Sequence, residues 1–216
     1  MPHNTFIVTG VKNEDYRTTA TIPIADTAGQ YTLNLAVAFP EKYRELTVDD
    51  FLVCPYKSYT TPQAGGDAGA VQGLYRPYTI SISDEHILTI NGPQVENNYV
   101  SIPHRYPLQY KVYLKDDATV KIKDYRTSSL SYNLTAHDFK DISASDVIFT
   151  VKNVSASAIR YASAKLPISN YTAATIAIND NILTMSSPKV GCNLASQWAW
   201  TQLEYDVYVH KPSIWR

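Results

Sequence analysis

Five histidines, two cysteines and two Asp-Asp pairs are the residues of this chain most able to do chemistry. The histidines are His3, His86, His104, His137 and His210, and none is spaced as His-x-His or His-Glu-x-x-His, the patterns that put two imidazoles on one metal. His86 falls in a turn and His210 near a strand end, so both read as surface residues. Asp49-Asp50 and Asp116-Asp117 are sequence neighbours. Adjacent residues on a strand point to opposite faces, so neither pair makes a carboxylate dyad. No Gly-x-Ser-x-Gly elbow occurs, and no Gly-Lys-Ser/Thr follows the glycines, which removes a phosphate loop. Cys54 and Cys192 are too few for a disulfide framework or a zinc site and read as small buried apolar residues. The expectation is a protein that is not an enzyme and holds no cofactor or metal.

Composition narrows the partners. The net charge is −1 over 216 residues, and no basic stripe supports nucleic-acid binding. No apolar run approaches the ~18 residues of a membrane helix. Met1–Gln30 holds no apolar signal core, so synthesis and release in a cytosol are expected. Charged residues are 18%, below the ~25% of ordinary soluble domains. Tyrosine is the other anomaly, with 17 of the chain's 25 aromatic residues. Tyr56, Tyr59, Tyr75, Arg76 and Tyr78 flank the glycine-rich stretch 63–73. Tyr and Arg are favoured at interface hot spots, so these five are candidate contact residues. Packing of the tyrosines on their own domain is the competing reading. Trp198 and Trp200 form a second candidate patch, on one face of an extended segment.

The elements that would position these residues repeat. Ile87–Lys115 aligns without a gap on Ile182–His210, and eleven of 29 columns are identical. They include Leu88/Leu183, Pro93/Pro188, Val95/Val190, Leu108/Leu203, Tyr110/Tyr205 and Tyr113/Tyr208. Upstream, Ile80–Asp84 parallels Ile176–Asp180, and Leu46–Phe51 (Leu-Thr-Val-Asp-Asp-Phe) parallels Leu134–Phe139 (Leu-Thr-Ala-His-Asp-Phe). Ser196–Trp200 aligns on Ser101–Arg105. The middle regions diverge, with 29 positions from Phe51 to Ile80 and 37 from Phe139 to Ile176.

Each copy alternates with period 2, as strands do. Leu33, Leu35, Val37 and Phe39 make one such run, Tyr110–Leu114 another and Val147–Val151 a third. Ser83–His86 and Asn179–Asn181 read as hairpin turns. Thr47-x-x-Asp50 and Thr135-x-x-Asp138 match a capping pattern, read as a single turn entering a strand. Short strands with turns every 8–12 residues predict an all-β chain of two similar tandem β-sandwich (or small β-barrel) domains from an internal duplication. The expected division is 1–29 as an N-terminal arm or extra strand, 30–117 as the first domain, 118–123 as a linker or strand, and 124–216 as the second.

The two Leu-Thr-x-x-Asp-Phe blocks and the paired strands Tyr110-Lys-Val-Tyr113 and Tyr205-Asp-Val-Tyr208 carry a resemblance. In duplicated β-domains, near-neutral charge and tyrosine content, the chain resembles small structural proteins of tailed-bacteriophage virions. That resemblance implies a head decoration or capsid accessory protein, made in the host cytoplasm and bound to other virion proteins in many copies. A neck or tail component is the near alternative. A glycan-binding adhesive module is the other, with Tyr75, Tyr78, Trp198 and Trp200 lining an open groove.

Overall fold

The computed structural model describes residues 23–58, 70–99, 102–115, 119–126, 128–137, 139, 141–153, 158–161, 168–194 and 197–210. They are mostly antiparallel strand, with one short helix and several small sheets. The first half holds β1 (Ala25–Ala28), β2 (Gln30–Asn34), α1 (Leu35–Ala38), β3 (Phe51–Ser58), β4 (Ala70–Arg76), β5 (Thr79–Ile82), β6 (Ile87–Asn91), β7 (Gln94–Tyr99) and β8 (Ile102–Leu114). The second half holds β9 (Thr119–Arg126), β10 (Leu130–Asn133), β11 (Val147–Asn153), β12 (Ala158–Tyr161), β13 (Ile168–Thr172), β14 (Ile176–Asn179), β15 (Ile182–Met185), β16 (Lys189–Leu194), β17 (Gln197–Gln202) and β18 (Glu204–His210).

Pairings recur in chain order. In the first half β8 pairs β1, β3 and β7, β6 pairs β2 and β5, and β4 pairs β7. In the second half β18 pairs β9 and β11, β15 pairs β10 and β14, and β16 pairs β13 and β17. The strand expected at 119–123 lies within β9, which pairs β18 at the edge of its sheet. Backbone bonds outside the ladders recur as well. Leu108 N–H donates to Pro93 O and Leu203 N–H to Pro188 O, at 2.9 and 2.8 Å. Leu35 and Leu134 donate to the turn residues His86 and Asn181.

Local chemistry explains the turns. Asp180 and Asn181 both have positive φ, as a two-residue hairpin between Asn179 and Ile182 requires. In the first half the turn is longer, and His86 takes the left-handed position at φ 57°. Tyr43 packs edge-on against it, ring centroids 4.7 Å apart.

Three expectations are corrected. The alternation of Leu33–Phe39 does not continue as a strand. The Asn34 side chain accepts from Val37 N–H at 3.2 Å and caps a single helical turn, α1, which leaves Val37 74% exposed. The block Leu134–Phe139 is not placed like Leu46–Phe51. Leu134 occupies the setting of Leu35, and Thr135 binds Asn133 Oδ1 through its amide and hydroxyl. The counterpart of the Thr47–Asp50 capping box is Ser143–Asp146, each box entering the next strand through one 3-10 turn. Asp138 lies outside the described residues. The third correction concerns Tyr75 and follows below.

Two cores form. One belongs to the first half and joins Leu35, Phe51, Val53, Leu88, Ile90, Tyr110 and Val112. The other takes in the second half, with Leu134, Phe149, Leu183, Tyr205 and Val207, but also Leu52, Cys54, Tyr75, Val95 and Tyr113 from the first. β3 therefore sends Phe51 and Val53 to one core and Leu52 and Cys54 to the other. This explains its unbroken apolar run, since a strand covered on both faces has no polar side. At one end of the first core, Gly29 O accepts from Gly92 N–H at 2.8 Å and from the Tyr110 hydroxyl at 3.0 Å. Gly29 has φ 76°, and a Cβ on Gly92 would stand 2.3 Å from Tyr110 Cε1. Tyr205 donates to Ser128 O in the second half.

Candidate contact surface

Tyr75 is the correction. It is 3% exposed and sits in the core that joins the halves, so it offers no area to a partner. Its register partner on β7 is Val95, and its ring lies 6.2 Å from that of Tyr171. Both tyrosines stand four residues before a Thr-Ile pair, Thr79-Ile80 and Thr175-Ile176. That shared spacing was the available signal, hidden in the divergent middle region. The Tyr171 hydroxyl donates to Pro55 O at 2.9 Å, crossing from one half to the other, whereas the Tyr75 hydroxyl has no hydrogen-bond partner among the described residues. Burial holds both hydroxyls well above the ordinary tyrosine range. Cys54 lies in the same seam. Burial pushes its thiol up to about 12, against the opposing Phe149 backbone bond and Lys111 charge. The halves are also tied by strand pairing, because β12 adds to the edge of β4.

Arg76 follows Tyr75 and so faces the other way. There the structure assembles a group that the sequence did not single out. Glu96 on β7 lies directly opposite Arg105 on β8, and Arg76 comes from β4 on the other side. Arg76 donates through Nε and Nη2 to the two Glu96 oxygens, each at 3.0 Å, and Arg105 Nε donates to Oε2 at 3.0 Å. The Glu96 side chain is 3% exposed, while the two arginine side chains are 50% and 58% exposed. The Arg76 hydrogen bonds hold Glu96 below the usual carboxylate range, opposed by burial and helped by Arg105. One buried acid thus aims two cations outward. In the repeat alignment, Glu96 and Arg105 stand at the columns of Gly191 and Trp200.

On the second half, Trp200 lies across from Gly191, is 38% exposed, and carries Lys189 Nζ 4.8 Å from its ring centroid. The same sheet position therefore bears a charged clamp in one half and an aromatic surface in the other. The Trp198 side chain and all of Tyr59 lie outside the described residues, as do Gly65, Gly66 and Gly69.

The remaining candidates are half-buried. Tyr56 donates to Asp26 Oδ1 at 2.6 Å with Lys111 Nζ 5.3 Å from its ring. That bond to an anion, with some burial, pushes its hydroxyl up to about 12. Tyr78 packs on the first core, and its hydroxyl is pushed up to about 12 by burial and then by Tyr208, Asp206 and Asp49. Asp206, aligned with Lys111, is fully buried and paired with Lys121 at 3.1 Å and Lys152 at 2.6 Å. Thus the same strand position carries a cation in one half and an anion in the other. Among the described residues no three His, Cys, Asp or Glu side chains converge as metal ligands, and no helix is long and apolar enough to cross a membrane. No family model, curated protein or solved structure matches this chain.

Proposed function

We propose that the chain is a non-enzymatic structural protein of a tailed-bacteriophage particle, most simply a head decoration or capsid accessory protein. In this reading it is a pair of duplicated β-sandwiches, located in the virion, that works by protein–protein contact. The observation that carries it is divergence on a repeated frame. The same strand pairings occur in both halves, yet one sheet face bears Arg76, Glu96 and Arg105 and the aligned face bears Trp200 over Gly191. A rigid frame with two unlike outward patches suits a protein that touches two different neighbours in a lattice. The test is the composition of purified particles by quantitative mass spectrometry. The chain should be present at a fixed multiple of the portal or capsid subunit count. Its absence from particles that contain every other structural protein would sink the reading.

A glycan-binding module remains the second reading because Trp200 is partly exposed, with Lys189 Nζ over its ring. Its groove loses Tyr75 to the core. Binding on a glycan array that is lost on Trp200→Ala would support it, and no binding to any glycan on the array would remove it.

A further inference from the structure

The clamp has an acidic counterpart on the same chain. Asp84 and Glu85 form the exposed tip of the β5–β6 hairpin, and neither makes a hydrogen bond, ion pair or ring contact among the described residues. The tip is held firmly from behind. His86 N–H donates to Ser83 O, Ile87 N–H donates to Ser83 Oγ, Leu35 N–H donates to His86 O, and the Tyr43 ring packs edge-on against His86. Two acids are therefore presented on a braced turn.

The receiving group is equally prearranged. Glu96 fixes both guanidiniums by Nε, so their outer N–H edges point away from it with one net positive charge left over. Holding the fork in place beforehand removes part of the entropy lost on binding a carboxylate. Among the described residues the tip makes no ion pair with its own clamp. It lies at the far end of β6 from the 91–94 connection that leads to Glu96, a strand of five residues or about 17 Å.

We infer that the Asp84–Glu85 tip of one copy docks on the Arg76–Arg105 clamp of a second copy. This rests on the reading of the chain as an assembly protein and names one of its partners as itself. The contact is head-to-tail, so it propagates into a ring or a row rather than closing as a two-fold dimer. Exposed ion pairs contribute little affinity, so the clamp acts chiefly by setting register and orientation.

Sedimentation of the full chain over a concentration series, at low and high salt, tests it. Self-association is expected, weakened by salt. Arg105→Glu and the tip variant Asp84→Lys/Glu85→Lys should each weaken association by about tenfold, and mixing the two should restore an alternating assembly of one-to-one stoichiometry. Arg105→Gln removes the cation without adding charge beside Glu96 and should lower association while leaving the melting temperature near that of the parent. A chain that stays monomeric at all concentrations overturns the inference. Self-association untouched by the clamp and tip variants also overturns it, while leaving the assembly reading to be decided by particle composition.

Discussion

At the scale of single residues, the same side chain does different work on the two sides of the seam. Tyr75 and Tyr171 are both buried, but among the described residues only Tyr171 finds an acceptor, Pro55 O. Tyr171→Phe should cost about 1 kcal/mol in denaturant unfolding, whereas Tyr75→Phe should be neutral or stabilising because it removes an unmatched polar atom. Equal losses in both would contradict the hydrogen-bond assignment. Gly92 is set by space rather than by torsion, since its Cβ would collide with Tyr110 and with Gly29 O. Gly92→Ala should destabilise by about 1–3 kcal/mol and lower the melting temperature. Glu96 gives a pH signature. Its folded-state pKa lies below its unfolded value, so its contribution is complete above about pH 4.3 and disappears as pH falls through the lowered value. Glu96→Gln should remove that acid limb from the stability profile and leave the two arginines without their anchor. The thiol of Cys54, raised to about 12 and buried, should resist alkylation until the protein unfolds, as mapped by peptide mass spectrometry.

At the scale of elements, period-2 alternation was enough to locate strands, and the hairpin turns were legible from their Asp and Asn residues. The end of β2 was not. Leu33, Leu35, Val37 and Phe39 continue the alternation, and only the competing cap from Asn34 turns the chain. Asn34→Ala should release α1 at a cost of about 1 kcal/mol, visible as faster amide exchange at Val37 and Phe39. The clamp was equally hard to see, because Arg76, Glu96 and Arg105 come from three strands and meet only once their register is set. Short blocks also mislead. Leu134–Phe139 shares four letters with Leu46–Phe51, yet the backbone uses the two segments at different points of the fold.

At the scale of the whole molecule, the low charge and the tyrosine excess are partly accounted for inside the chain. Tyr113 points to the second face of β8, and that face meets the other half rather than solvent. Nothing in one copy's pattern announces this, because alternation reports which residues share a face and not what covers it. β12 crossing to β4 is likewise invisible to local sequence. Because the second core draws residues from both halves, the chain should unfold in one transition, with tyrosine fluorescence and far-ultraviolet circular dichroism coincident. Two resolved transitions would contradict a shared core.

From Phe51 to Cys54, β3 has no outer side. Each substitution from Phe51 to Cys54 changes a surface that one half or the other must fit, so the middle of the molecule can vary only by coordinated change. The clamp and Trp200 lie beyond that constraint, on faces that no second core touches. Diversity in what this protein touches can therefore accumulate at its rim while the centre stays fixed.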